Sequence, residues 1–199
     1  LGLLLSARDP QGRGLDDTEL RDELLSLVLG GHETTAGALA WVIELLVDHP
    51  AVMARAAEDS ELLDCVIKES LRLHPVLALV ARRARVPFML DRHPIEPGTW
   101  LAPSIYLTHR RADLYPEPER FRPERFLGQQ PDHFHYLPFG GGARRCVGMN
   151  VALIQMKAIL STILKRVRLH SLRKHPAEPM RRNITIVPAG EIPIVCTLR

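Results

Sequence analysis

Between Asp16 and Asp48 the chain runs without a proline, room for one helix of about 32 residues and roughly 48 Å. A rod of that length crosses a whole domain, so every other element has to be arranged along it. Its start is signalled by Asp16-Asp17-Thr18-Glu19, an acidic first turn with Asp16 and Glu19 at capping-box spacing. Its middle is at odds with helix propensity. Gly30 and Gly31 each cost about 1 kcal/mol relative to alanine in a helix interior. Beside them stand His32, Glu33, Thr34 and Thr35, between the apolar runs Leu27-Val28-Leu29 and Ala36 to Trp41. A polar, glycine-containing break in an apolar helix is a local conflict of the kind that marks functional sites.

Ahead of this helix, residues 1–15 read as a leader loop: a short apolar piece, then Gly, Asp and Pro. Residues 16–199 read as one unit. Pro50 starts a short helix to about Ala57, and Ser60 is placed to cap another, from Glu61 to about His74, stopped by Pro75. Residues 76–103 alternate short apolar pieces (Val76 to Val80, Phe88 to Leu90, Trp100 to Ala102) with turn signals, notably Pro97-Gly98. Two or three strands of a small sheet follow. One or two helical turns are expected over 104–112. Pro116, Pro118, Pro123, Pro131 and Pro138 make 113–138 a long irregular segment, and such loops are usually functional or disordered. Val147 to Val167 is apolar and proline-free and is expected to be a buried helix. Ile184 to Val187 and Ile192 to Cys196 flank Pro188-Ala189-Gly190-Glu191 and read as a terminal β-hairpin. The fold class is therefore mainly α with small β-sheets.

Composition excludes several classes. With 46% apolar and 25% charged residues in 199, the chain has the balance of a soluble globular protein with one sizeable core. No apolar run approaches the roughly 20 residues that span a bilayer. The formal net charge is +3, and only Lys68, Lys157, Lys165 and Lys174 among the 26 basic residues are lysines. The basic residues form a solvated surface or a docking face for an acidic partner. No basic run is interleaved with aromatics, so nucleic acid is not expected. Cys65, Cys146 and Cys196 are widely spaced with no Cys-x-x-Cys pair, which points away from a zinc ribbon and towards a reducing compartment.

The sharpest chemical signal is Phe139-Gly140-Gly141-Gly142-Ala143-Arg144-Arg145-Cys146-Val147-Gly148. Glycines let the backbone approach a flat partner closely. A cysteine at the start of a helix, beside Arg144 and Arg145, has its thiolate favoured by the unpaired N–H groups and by positive charge. A thiolate so placed is a nucleophile or a metal ligand; a buried apolar cysteine beside a turn is the plain alternative. The spacing Phe-x-x-Gly-x-Arg-x-Cys-x-Gly resembles the haem-binding signature of the cytochrome P450 superfamily at every fixed position, through Phe139, Gly142, Arg144, Cys146 and Gly148.

The resemblance implies haem b as cofactor, with Cys146 as thiolate ligand to the iron and Arg144 paired with a haem propionate. Further motifs follow in family order. Glu69-Ser70-Leu71-Arg72 supplies Glu-x-x-Arg, both side chains on one helix face, and Pro123-Glu124-Arg125-Phe126 supplies the arginine of a buried Glu–Arg–Arg network. Gly30 to Thr35 resembles the distal-helix motif, with Gly30 and Gly31 leaving a groove and Glu33 and Thr34 on a proton path. Alternatively, Thr34 bonds back to its own i−4 carbonyl and bends the helix. His32 reads as a surface-facing spacer, or else as a member of the proton path. Arg82 resembles a second propionate partner, with Arg83 as its rival, since only one can face the haem. His109-Arg110 matches a pattern that is structural.

The implied architecture is the C-terminal half of the cytochrome P450 fold: long distal helix, Glu-x-x-Arg helix, cysteine loop and proximal helix. A full member is about twice as long, so exposed apolar faces are expected where the other half would pack. The implied function is haem-thiolate monooxygenation of a hydrophobic small molecule. Electrons would come from a separate ferredoxin or reductase, since no flavin or nicotinamide fingerprint is present. The alternative is a truncated, non-catalytic fragment that keeps the haem-binding scaffold. A cytoplasmic location is expected, with any membrane anchor lying ahead of Leu1. The pocket segments implied are the distal helix, Val76 to Val80, and the tip near Pro188 to Ile192, all mainly apolar.

Overall fold

The structure is a computed structural model that describes residues 2–199. Its spine is the long helix read from the sequence. Helix α2 spans Asp17–Asp48, and its capping box is formed: Asp16 accepts from the Thr18 and Glu19 N–H groups while Glu19 accepts from the Asp16 N–H. Gly30 and Gly31 stay helical, and a Cβ on either would meet nothing within 4 Å. Only the second half of α2 is buried, from Gly37 through Trp41 and Val42 to Leu46 and Val47.

Helices α3 (Pro50–Glu58), α4 (Ser60–Leu73) and α6 (Met149–Arg166) pack with that half around one apolar core. Leu62, Leu63, Val66 and Ile67 face it from α4 and Met156, Leu160 and Leu164 from α6. A one-turn helix, α5, covers Ile105–Thr108. Among the described residues there are four two-stranded antiparallel ladders. Strand β1 (Arg82–Arg83) pairs with β4 (Trp100–Leu101), and β2 (Phe88–Leu90) with β3 (His93–Ile95). Strand β5 (Val167–Ser171) pairs with β8 (Ile194–Leu198), and β6 (Pro179–Arg182) with β7 (Thr185–Pro188). Residues 113–138 are irregular, apart from a 3-10 turn over Pro123–Phe126.

Several sequence expectations are corrected. The leader is not all loop, because Gly2–Ser6 forms a short helix, α1. The cap of α4 is Asp59, whose carboxylate accepts from the Glu61 and Leu62 N–H groups, and Ser60 is already inside the helix. Val76 to Val80 is not a strand. Its carbonyls and amides are shared among three places: Ile186 donates to the Val76 carbonyl, Tyr106 to that of Ala78, and Val80 donates to Pro103.

The terminal hairpin is also differently paired. Asn183, at φ +54°, makes the tight turn that folds β7 onto β6, with Arg182 opposite Thr185. The Pro188 to Glu191 turn instead carries the chain across to β8, which pairs with β5. Finally, α6 is buried along only one stripe, Met156, Leu160 and Leu164, while Val147 ahead of it and Val151 and Ile154 on it face outwards.

Candidate functional site

Glu69 and Arg72 lie three residues apart on α4, so both point to one side of it. Both side chains are fully buried. Arg72 donates from Nε to Glu69 Oε2 at 2.7 Å and from Nη2 to Glu69 Oε1 at 3.0 Å, a two-point grip on the carboxylate. Arg125, on the Pro123–Phe126 turn, adds a third arm from Nε to Glu69 Oε1 at 3.0 Å. The Arg122 N–H donates to the same oxygen at 2.8 Å. The remaining guanidinium donors hold the irregular segment, Arg72 through the His109 carbonyl at 2.7 Å and Arg125 through that of Pro116 at 3.1 Å. These bonds bring Glu69, Arg72 and Arg125 together and tie residues 109–125 to α4.

From α4 the hydrogen bonding continues to residues 136–137, just ahead of the cysteine loop, through two residues. His109 is fully buried, with Nδ1 3.1 Å from the Arg72 carbonyl, and its Nε2 accepts from the Leu137 N–H at 2.8 Å. That pattern assigns a neutral ring with its proton on Nδ1. Burial is the main cause that lowers its pKa to about 4, helped by the Arg72 and Arg110 charges. Tyr136 stacks against it with ring centres 5.5 Å apart and donates to the Lys68 carbonyl at 2.9 Å. Burial raises the Tyr136 pKa well above the usual phenol value. Nothing in the sequence singles out Tyr136; His109 was read only as structural, and its bridging role was not legible.

The loop itself is shaped by backbone conformation. Gly140 and Gly142 sit at φ +70° and +68°, which L side chains rarely adopt. The Phe139 carbonyl accepts the Cys146 N–H at 2.9 Å, closing the loop at its base. Arg144 is exposed on a 3-10 turn over Gly142–Arg144, and Cys146 is exposed two residues before Gly148, the N-cap of α6. A Cβ on Gly148 would stand 3.8 Å from the Cys146 sulfur.

Arg82 and Arg83 diverge as strand alternation requires. Arg82 reaches across from β1 to the Gly141 carbonyl, 3.4 Å from Nη2, whereas Arg83 turns to the Gly98 carbonyl at 3.2 Å. Between β1 and the loop lies a cleft of about 580 Å³ lined by Val80, Arg82, Phe139 and Gly140 to Gly142. Cys146, Arg144 and the α2 residues do not border it.

On α2 the Thr34 hydroxyl donates to the Gly30 carbonyl at 2.5 Å, the local back-bond that was the alternative to a proton path. Glu33 is half-exposed and pairs with Arg182 of β6 at 3.2 Å. His32 is exposed, as a spacer would be. Gly30 and Gly31 are exposed on the half of α2 that has no packed neighbour among the described residues, with open space beside both.

These residues fit the haem that the sequence resemblance implies. Among the described residues no cluster of three or more His, Cys, Asp or Glu could hold a metal ion. The metal donor offered is a single exposed thiol, Cys146, on a glycine loop, which suits a group that would carry its metal already bound and need one further donor from the chain. Arg82, at the same loop, suits a carboxylate on its edge. Among the described residues no single helix is long and apolar enough to cross a membrane.

The family profile described as Cytochrome P450 matches residues 1–193. A Mycobacterium tuberculosis protein named "Putative cytochrome P450 137" is 39% identical over 193 residues, covering 94% of this chain and 40% of its own length. One named likewise as 135B1, from Mycobacterium bovis, is 37% identical over 199 residues, covering 94% of this chain and 42% of its own. Among solved structures, the retinoic acid-bound cyanobacterial CYP120A1 matches with a TM-score of 0.91 at 28% identity, over 100% of this chain and 50% of that one. The chain thus spans about two fifths of the length of these curated relatives.

Proposed function

The chain belongs to the cytochrome P450 family, and from that premise we propose that it is the haem-binding C-terminal portion of a monooxygenase acting on a hydrophobic small molecule. The observation that carries this reading is the loop from Phe139 to Gly148. It presents Cys146 at the head of α6, with two left-handed glycines and the Arg82 guanidinium at its side. When bound, haem b would supply the activation of dioxygen, fed by electrons from a ferredoxin or reductase.

The chain's own residues have separable tasks. Cys146 provides the thiolate, and Arg144 and Arg82 provide positive charge for the haem carboxylates. The Glu69–Arg72–Arg125 cluster and His109 hold the loop in register with α4. On α2, Gly30 and Gly31 leave room, Thr34 positions a proton, and Glu33 passes protons inwards from solvent. For the last two, the present pairings with the Gly30 carbonyl and Arg182 would have to open during turnover.

The test is the carbon monoxide spectrum of the reduced protein. A red-shifted Soret band is expected from the full-length protein and its loss from Cys146→Ser, because serine is not ionised at neutral pH. Cys65→Ser and Cys196→Ser should keep the band. Retention of it in Cys146→Ser would remove the assignment. The second reading is a non-catalytic fragment that keeps the haem-binding scaffold, and the same spectrum separates the two. The band in the full-length protein, with none in the 199-residue chain, would identify that case.

A further inference from the structure

The ladders β1–β4 and β2–β3 are two parts of one hairpin. Arg82 faces Leu101 and Arg83 faces Trp100 in the first. Phe88 faces Ile95, Met89 faces Pro94 and Leu90 faces His93 in the second, so the register does not slip between them. In the gap the Ala84 N–H donates to the Thr99 carbonyl at 2.9 Å, and the Gly98 N–H to the Ala84 carbonyl at 2.8 Å. A two-residue turn, Asp91-Arg92, closes the tip, with Asp91 at φ +52°. Among the described residues no other helix or strand packs extensively on β2 or β3.

A projecting two-stranded ribbon is marginal in water unless its apolar side is covered. This one is apolar on both faces. Phe88 and Leu90 share one face and Met89 has the other, as strand alternation requires. All three are exposed, with Val86 ahead of them. Trp100, at the base, is 70% exposed. The charge around these side chains is positive, with Arg82, Arg83, Arg85 and Arg92 set against Asp91 and Glu96. Arg82 turns to the Gly141 carbonyl. Arg83, Arg85 and Arg92 are exposed, and among the described residues none of them pairs with a carboxylate.

That combination selects the occupant. A folded protein surface covers one face of a ribbon, whereas headgroups and acyl chains surround whatever enters them. Tryptophan settles at the membrane–water boundary, and arginine beside it is drawn to anionic headgroups. The charged Asp91-Arg92 tip keeps the ribbon lying along that boundary instead of crossing it.

We propose that the hairpin from Arg82 to Leu101 docks on an anionic lipid surface, with Met89 and Trp100 entering the interface and Arg83, Arg85 and Arg92 meeting the headgroups. The inference does not depend on the haem-monooxygenase reading.

The test sediments the 199-residue chain and the full-length protein with vesicles of phosphatidylcholine, alone or with an equal part of phosphatidylglycerol. Both lengths should bind the mixed vesicles, and the neutral ones about tenfold more weakly or less. Of the two tryptophans, Trp41 is 1% exposed. A blue shift on binding, and quenching by brominated lipid, therefore report Trp100. Met89→Asp should weaken binding by about tenfold or more, and the milder Met89→Gln by less. Arg85→Gln with Arg92→Gln should cost about fivefold for each charge and remove most of the preference for phosphatidylglycerol. Circular dichroism of each variant should match wild type, since these side chains face water.

Failure of the full-length protein to sediment with mixed vesicles would overturn the proposal. So would a Trp100 shielded from acrylamide in that protein without lipid, because the rest of the chain then covers the hairpin. Binding that falls with the arginines but is untouched by Met89→Asp would also overturn it, leaving only the general attraction of a basic surface.

Discussion

Glu69 receives hydrogen bonds from Arg72 at both oxygens and from Arg125 Nε and the Arg122 N–H at Oε1. Removing the carboxylate therefore strands two guanidinium groups, one of them fully buried. Glu69→Ala should cost about 3–5 kcal/mol, the usual penalty for breaking a buried pair. Urea denaturation would measure it, and a loss within about 0.5 kcal/mol would reduce the cluster to a surface bridge. His109 gives a pH prediction from the same region. Its ordinary pKa is 6.5 and the folded value is about 4, with burial the first cause. The neutral ring is thus favoured by folding. Its contribution is fully present above about pH 6.5 and is lost as pH falls towards 4, by roughly 3 kcal/mol in all. Protonating Nε2 would turn an N–H against the Leu137 N–H. His74 runs in the same direction, lowered to about 4 mainly by burial, beneath a stack on Trp41 at 3.8 Å. Stability measured between pH 7 and 5 should fall steeply in wild type and less steeply in His109→Gln. Equal slopes would show that the ring accepts a proton without loss.

At the scale of elements, caps and turns decide boundaries. Asp59→Ala should destabilise α4 by about 1 kcal/mol, because two N–H groups lose their acceptor. Ser60→Ala should change stability by less than about 0.5 kcal/mol, since the Ser60 side chain caps nothing. Thermal melts of the two variants test the assignment, and the reverse order would return the cap to Ser60. The sequence showed α2 because its signals are local: the capping box at one end and the proline-free run to Asp48, with Pro50 beyond it. The Glu69–Arg72 pair and the cysteine loop were legible for the same reason, as short motifs of fixed spacing. Strand pairing was not. The segment from Ile184 to Cys196 looks like a hairpin around Pro188 to Glu191. The conformation that decides the matter is the left-handed turn at Asn183, and the partner of β8 lies beyond α6 in the chain. His109 and Tyr136 were unreadable as bridges for a similar reason, because their partners on α4 are 37 and 68 residues away.

At the scale of the whole molecule, the helices carry both a filled apolar core and bare apolar stripes. The core joins the second half of α2 with α3, α4 and α6. Leu25, Val28 and Leu29 on the first half of α2, and Val151 and Ile154 on α6, are more than half exposed and fall at helical spacing. Stripes this apolar on two helices exceed the scattered hydrophobics of an ordinary surface. In a protein of the relatives' length, with this chain about two fifths of it, they are expected to be covered. That yields a contrast which a single protein length could not give. Val28→Lys with Ile154→Glu should leave the stability of the 199-residue chain within about 0.5 kcal/mol of wild type and raise its solubility, since both sites face water there. In the full-length protein the same pair should cost several kcal/mol, on the order of 2–5 for charges placed into apolar contact without partners. Urea midpoints for both lengths, with and without the substitutions, measure the difference. Equal, small effects at both lengths would mean that these stripes stay in water in the complete protein, and that its other half packs elsewhere.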